Sequence, residues 1–170
     1  FIGGDVTLTH CTFAQFYPFD GNRGAALSFG NHSSGKDYPL QAFNVRNSLV
    51  TGYSDDVLMG GNKEKVTANY QFDHCILRTP KPDKPALLAR FTDVLWENSK
   101  DYPNGGDRQF VLVDGNKQHY DFHLKKPEKG EKFPAVNIAA PLSDPRFTTD
   151  HDGRQRDDKP DIGCYELVIN

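Results

Sequence analysis

Val6-Thr7-Leu8-Thr9-His10-Cys11-Thr12-Phe13 is the first of three segments that align without gaps and decide the fold. The other two are Phe43-Asn44-Val45-Arg46-Asn47-Ser48-Leu49-Val50 and Tyr70-Gln71-Phe72-Asp73-His74-Cys75-Ile76-Leu77. Alternation of apolar and polar residues predicts a strand whose apolar side chains share one face. The His or Asn column that follows predicts a bend, because these residues tolerate the left-handed backbone conformation. Cys11, Ser48 and Cys75 are small enough to point into a crowded interior after that bend.

A second pair of segments lies between these repeats. Ala26-Leu27-Ser28-Phe29-Gly30-Asn31 aligns position by position with Val57-Leu58-Met59-Gly60-Gly61-Asn62, so each repeat holds two or three short strands. The repeats start at residues 6, 43 and 70, and this uneven spacing disfavours ankyrin or tetratricopeptide arrays. The alternative is an antiparallel sandwich, which alternation alone permits but the matching columns do not favour.

The repeats predict an all-β right-handed parallel β-helix of three to four coils over residues 1–125. An irregular C-terminal cap over 126–170 completes the same domain. The pattern weakens from about Lys81, where 86–91 reads as a strand or a short helix and 110–113 and 120–124 read as the final strands. Phe1-Ile2-Gly3-Gly4 has neither an initiator Met nor a signal-peptide core. We therefore expect an upstream part of the same protein, or a partner subunit, to cover the N-terminal coil.

The cysteines follow from the same model. Cys11 and Cys75 lie two coils apart, about 10 Å, which exceeds the disulfide limit of about 7 Å between Cα atoms. With Cys164 the number of cysteines is odd, and all three are predicted to be free thiols.

Composition excludes several classes of function. A net charge of −3 and a pI near 6.1 give no electrostatic basis for binding nucleic acid or an anionic membrane. No run approaches the roughly 20 apolar residues of a membrane span. The numerous turn residues, with 15 Gly and 11 Pro, suit short strands joined by many turns.

The tail carries the most distinctive motifs. They are Tyr120-Asp121-Phe122-His123-Leu124, Phe133-Pro134-Ala135-Val136-Asn137-Ile138-Ala139, Thr149-Asp150-His151-Asp152-Gly153-Arg154-Gln155-Arg156 and Lys159-Pro160-Asp161-Ile162-Gly163-Cys164-Tyr165-Glu166. Together they resemble the closing segment of exported bacterial, pectate-lyase-like β-helix proteins of the choice-of-anchor Q type, common in Bacteroidetes. Phe133-Pro134 and Cys164 depart from that family's usual Ser-Pro and Ala. The resemblance implies a β-helix at the cell surface or outside the cell, and no particular activity.

The tail is predicted to cap the β-helix, because open strand edges need covering. Ile162, Cys164 and Tyr165 are expected to lie over the last coil. The predicted cap residues are Asp150, Asp152, Gly153, Arg154, Asp161, Ile162, Gly163, Tyr165 and Glu166. Asp150 and Asp152 are also the only candidates for a calcium site, but the further oxygen ligands of such a loop are missing. No cofactor and no histidine metal site is predicted.

Two sets of side chains are candidates for function. A polysaccharide lyase needs a base beside a carboxylate and a glycoside hydrolase needs two carboxylates. Arg46, Asp73, Asp55 and Asp56 are the candidates for these roles, with Arg46 expected beside Asp73. Aromatic rings beside carboxylates bind sugars, and the candidates are Phe16, Tyr17, Phe19, Asp20, Arg23 and Tyr53.

Two hypotheses follow. The first is a non-catalytic scaffold or adhesin-like surface module that binds polysaccharide through its side loops. The alternative is the C-terminal part of a polysaccharide lyase or glycoside hydrolase whose active site lies largely upstream.

Overall fold

The computed structural model describes residues 1–20, 24–54, 57–60, 62–97, 105–131 and 133–168. They form an all-β structure with parallel sheets and a single one-turn α-helix among the described residues. The strands are β1 Gly4–Thr9, β2 Thr12–Gln15, β3 Leu27–Phe29, β4 His32–Ser33, β5 Lys36–Asp37, β6 Leu40–Arg46, β7 Leu49–Gly52, β8 Val57–Met59, β9 Gln71–Asp73, β10 Ile76–Leu77, β11 Phe91–Thr92, β12 Leu95–Trp96, β13 Phe110–Asp114 and β14 His119–Leu124. The helices are α1 Pro85–Leu88 and the 3₁₀ turns Gly106–Gln109 and Pro145–Phe147. No described helix has both the length and the apolar character needed to cross a bilayer.

Two four-stranded parallel sheets organise the repeats. The first sheet has the order β1-β6-β9-β11, and the second has the order β12-β10-β7-β2. Each repeat contributes one strand to each sheet, with the bend residue between them. The residues that align in the sequence also pair in the sheets, since Leu8 pairs with Val45 and Val45 pairs with Phe72. The predicted alignment of the three repeats is therefore confirmed residue by residue.

A fourth repeat over 89–96 was missed by the sequence analysis. Phe91 pairs with Phe72 in the first sheet, and Trp96 pairs with Leu77 in the second. The segment was obscured because Asp93 replaces His or Asn at the bend and because the prolines and α1 precede it.

The pairing of the second set of segments is confirmed, but its predicted register is wrong by one residue. Leu27 pairs with Val57, which brings Gly30 beside Gly60 instead of Gly61. A Cβ on Gly30 would lie 1.7 Å from the Gly60 carbonyl oxygen. Only a glycine permits this close backbone approach at position 30.

Two hydrophobic cores lie on opposite faces of the second sheet. The first is built around a stack of aromatic side chains in which the rings of Phe29 and Phe43 are 4.5 Å apart. The second core contains Leu49 and Ile76, which alternate along the strands with the side chains of the first core. This arrangement buries every residue of β7, as expected for a parallel strand covered on both faces.

The C-terminal half departs from the sequence prediction in two ways. Strands β13 and β14 form an antiparallel hairpin, so parallel strands do not continue to residue 125. Ile162 and Cys164 do not lie over the last repeat, where they were predicted. Instead, Gly163 N donates to Asn47 O, Cys164 N donates to Thr12 Oγ1, and Ile162 packs in the second core with Leu49. The tail therefore covers the outer face of the second sheet, because that face is apolar and needs burial. These hydrogen bonds are to the first two repeats, and Val136 and Leu167 belong to the same core as Leu95 of the fourth repeat.

The cysteines are free, as predicted. Burial raises the pKa of the Cys75 thiol to about 12, so this thiol stays protonated in the folded protein.

We expect a disulfide-exchange reagent to modify Cys75 far more slowly in native protein than in urea, while the half-buried Cys11 and Cys164 react first. The measurement is the rate of labelling at each site by peptide mass spectrometry. Equal native rates at the three sites would contradict the closed core.

Candidate functional site

The bend residues form a column of left-handed conformations. The φ angles are 51° at His10, 51° at Asn47, 48° at His74 and 49° at Asp93. The predicted bends at the first three are confirmed, and Asp93 is a fourth. The column has two halves, because the tail covers His10 and Asn47 while His74 and Asp93 remain accessible.

The covered half is a buried hydrogen-bond network. Asn47 donates from Nδ2 to Ala140 O at 2.8 Å and accepts from Ala140 N at 2.9 Å through Oδ1. Its Nδ2 also lies 3.0 Å from His10 Nε2. Asn47 is thus the main polar link between the repeats and the tail, a role that the sequence analysis missed although it placed this residue at the bend.

The accessible half of the column adjoins a charged cluster. Arg46 Nε lies 2.9 Å from Asp73 Oδ2, and His74 Nδ1 lies 2.7 Å from Asp73 Oδ1. The expected contact between Arg46 and Asp73 is confirmed, because these residues pair across β6 and β9. His74 Nε2 faces Asp93 Oδ2 at 3.7 Å. The remaining catalytic candidates, Asp55 and Asp56, lie outside the described residues.

The candidate aromatic residues divide into a buried anchor and exposed rings. Phe16, one of the candidates for sugar binding, is only 2% exposed and packs in the second core. Its ring lies 5.1 Å from that of Tyr53, in an edge-to-face contact. Tyr17 and Phe19, in the same loop as Phe16, are also in contact, with ring centroids 5.5 Å apart.

Tyr17, Phe19 and Tyr53 together form what we call the aromatic platform. Their exposed fractions are 40%, 56% and 43%, which is high for large apolar side chains. The loops after β2 and β7 carry them, and Tyr53 N donates to Gln15 O, which holds the two loops together. Asp20 follows Phe19 on the exposed part of the loop, and Arg23 lies outside the described residues. The platform is therefore a solvent-facing aromatic surface on a fixed base.

The acidic residues of the tail bind backbone amides. Asp150 accepts hydrogen bonds from the backbone N–H groups of Asp152, Arg154 and Glu166. Asp161 accepts from Asn137 N and Leu167 N. These contacts fold the tail onto itself.

Calcium does not fit the tail carboxylates. Both oxygens of Asp150 face N–H donors, and Asp152 Oδ2 contacts His123 Nε2 at 2.9 Å and Arg154 Nη1 at 2.6 Å. A calcium ion needs several free oxygen lone pairs. The donors around these two carboxylates leave no such set.

The buried arginine of the tail is Arg156, whereas the sequence analysis selected Arg154. Arg156 pairs with Glu166 and donates to Gly163 O at 3.0 Å, while Arg154 is 42% exposed.

His123 connects the hairpin to the tail. Its Nδ1 contacts Asp121 Oδ1 at 2.5 Å and its Nε2 contacts Asp152, while the Tyr165 ring lies 4.0 Å away. Hydrogen bonds to Asp152 and Asp121 raise the pKa of His123. Both ring nitrogens are thus engaged by carboxylates, so this cluster stabilises a junction and leaves no free ring nitrogen.

Comparison of the chain with protein-family models, curated proteins and solved structures found no significant match.

Proposed function

We propose that this chain is a non-catalytic module of an extracellular or cell-surface protein, and that it binds polysaccharide through the aromatic platform. The observation that carries the proposal is the exposure of Tyr17, Phe19 and Tyr53 above a buried Phe16. The motifs of the tail, which resemble exported bacterial β-helix proteins, support the location.

The proposed architecture is a right-handed parallel β-helix. Four successive repeats each place one strand in each of two parallel sheets, with a left-handed residue at the same bend. Connections between parallel strands are right-handed in nearly all proteins, which supports that hand. In this architecture the tail and the β13–β14 hairpin cover one face of the β-helix from the side.

The aromatic platform has the chemistry that sugars require. A sugar ring presents an apolar C–H face that stacks on an aromatic side chain, while its hydroxyl groups bond to polar neighbours. Clustered exposed aromatic side chains on a soluble domain mark binding surfaces more often than isolated ones. Edge-to-face packing of Tyr17 on Phe19 and of Tyr53 on Phe16 orients the rings before a ligand arrives. Such preorganisation lowers the entropy cost of binding.

The partial burial of the edge strands β1 and β2 supports the presence of a covering segment or partner. Val6, Leu8 and Phe13 in the first repeat are only half-buried, whereas Phe43 and Val50 in the second are fully buried. We propose that upstream chain or a partner subunit adds to β1 and β2. This cover would complete the burial of the first core.

Loss of the platform is expected to weaken polysaccharide binding. The double variant Tyr17→Ala/Phe19→Ala should bind at least about tenfold more weakly, because two stacking contacts of about 1 kcal/mol each are removed. Binding would be measured by isothermal titration against the polysaccharide selected from a panel of bacterial and plant glycans. Tyr38→Ala is the matched control, since Tyr38 is 40% exposed but lies in a different loop.

Two results would contradict the proposed function. One is that the native protein binds no polysaccharide of the panel, and the other is that the double variant and the Tyr38 control bind equally well. Tyr53→Ala tests the second loop separately.

The alternative function is a polysaccharide lyase or glycoside hydrolase, and the contact between Arg46 and Asp73 is the observation in its favour. The Arg46 guanidinium is engaged by the Asp73 carboxylate, so it is not the free base that a lyase needs. Release of unsaturated or reducing ends from the bound polysaccharide, abolished by Asp73→Asn, would establish the enzyme and displace the non-catalytic proposal.

A further inference from the structure

We propose that His74 and Asp93 bind a divalent transition-metal ion of the Zn²⁺ type, with Asp73 orienting the imidazole. This site lies on the bend column and is independent of the aromatic platform, so it goes beyond the proposed function. Asp73, His74 and Asp93 each offer one donor atom, and these atoms all lie within 4.8 Å of one another.

The spacing of the two ligand atoms suits an ion better than a direct hydrogen bond. His74 Nε2 and Asp93 Oδ2 are 3.7 Å apart, beyond the usual N–H···O range of about 2.7–3.2 Å. Two atoms bound to one Zn²⁺ at about 2.0–2.2 Å lie about 3.4 Å apart at a tetrahedral angle. Asp93 is 66% exposed, so a shift of a few tenths of an ångström closes the difference.

Asp73 prepares the imidazole for a metal. It accepts from His74 Nδ1 at 2.7 Å, which places the ring proton on Nδ1 and leaves the lone pair on Nε2 facing Asp93. A carboxylate behind the distal nitrogen is the usual partner of a metal-bound histidine, since it fixes the tautomer and raises the basicity of the ligand. Arg46 holds the other oxygen of Asp73. Asp73 is thus an orienting residue, and Asp93 is the anionic ligand.

Asp93 is available for this role. Among the described residues, its carboxylate forms no ion pair with a lysine or an arginine, and the contact that it makes is with His74 Nε2 at 3.7 Å. No hydrogen bond to this carboxylate involves the described part of the chain. A metal ion would neutralise it.

The architecture places the two ligands together. Phe72 pairs with Phe91 and Asp73 pairs with Thr92, so the bend residues that follow, His74 and Asp93, occupy the same column in neighbouring repeats. The buried half of the column shows that neighbouring bend side chains reach each other, since His10 Nε2 and Asn47 Nδ2 are 3.0 Å apart.

The nature of the ligands selects the class of ion. One imidazole and one carboxylate favour Zn²⁺, Ni²⁺ or Cu²⁺ over Ca²⁺ and Mg²⁺, which require oxygen ligands. Two protein ligands leave two tetrahedral positions for water or for an exogenous anionic group. The site is therefore open, unlike a structural zinc site with four protein ligands, and its affinity will be modest.

The test is a Zn²⁺ titration of the full chain, stripped with chelator and dialysed, by isothermal titration calorimetry. His74→Asn and Asp93→Asn are the informative variants, because Asn tolerates the left-handed conformation that both positions adopt. Each is expected to weaken Zn²⁺ binding by at least about tenfold, and Asp73→Asn by about tenfold through the lost orientation. The imidazole signals of His74 should shift during the titration in NMR spectra.

His123→Asn is the matched control. His123 also lies beside two aspartates, but both of its ring nitrogens are already bonded to them. Its variant should bind Zn²⁺ as the native chain does. The proposal is overturned if the native chain shows no saturable binding at millimolar Zn²⁺. It is equally overturned if binding survives His74→Asn and Asp93→Asn, or if only His123→Asn abolishes it.

Discussion

Replacing Asn47 with alanine is expected to lower the free energy of unfolding by about 4 kcal/mol. The side chain is fully buried and forms paired hydrogen bonds with the N–H and C=O groups of Ala140. Its removal leaves both groups buried without these partners, at about 1–3 kcal/mol each. Alanine is also strained at a φ of 51°, which adds about 1 kcal/mol.

Urea unfolding followed by circular dichroism measures this loss. Asn47→Gly removes the same hydrogen bonds without the backbone strain, so it should be about 1 kcal/mol more stable than Asn47→Ala. Asn44→Ala on the exposed face of β6 is the control and should change stability by less than about 0.5 kcal/mol. A loss below about 1 kcal/mol at Asn47 would show that the tail is not held through this residue.

The column of bend residues illustrates what the sequence could predict. Identity within a column is a stronger signal than alternation, because residues in equivalent positions of neighbouring repeats contact one another. It predicted the left-handed bends at His10, Asn47 and His74, and it predicted the contact between Arg46 and Asp73. These features depend on local conformation and on pairing between adjacent repeats.

The features that the sequence could not predict depend on contacts between distant segments. The sequence did not assign Phe16 to the core, because its burial depends on Phe110 and Phe122, more than ninety positions away. The tail motifs indicated a cover but not which face it covers. Leu49 and Ile76 face outward from the repeats, and their burial determines which face the tail covers. In a short strand the sequence does not distinguish such residues from inward-facing ones. The pair of His74 and Asp93 escaped notice because the fourth repeat was not recognised.

Stability is expected to fall by about 3 kcal/mol between pH 6.5 and pH 4 through His10 alone. Burial, followed by the nearby charge of Arg156, lowers the pKa of His10 from 6.5 to about 4. In the unfolded chain the imidazole takes up a proton near pH 6.5, whereas in the folded protein it stays neutral until about pH 4. The unfolded state therefore binds more protons across this window, and stability decreases as the pH falls. The contact with the Asn47 amide agrees, because Nδ2 donates and the neutral imidazole nitrogen accepts.

Other groups titrate in the same window, so the measurement compares two proteins. Burial raises the pKa of Asp161 and of Glu166, and these carboxyls contribute with the opposite sign because the folded state then binds the extra protons. His10→Asn retains a residue that tolerates the bend and removes only the titrating imidazole. The difference in unfolding free energy between the native chain and His10→Asn should therefore change by about 3 kcal/mol from pH 7 to pH 4, in favour of the variant at low pH. A direct NMR titration of the His10 ring provides the second test. A midpoint near 6.5, or a pH-independent difference between the two proteins, would mean that the tail does not bury this bend.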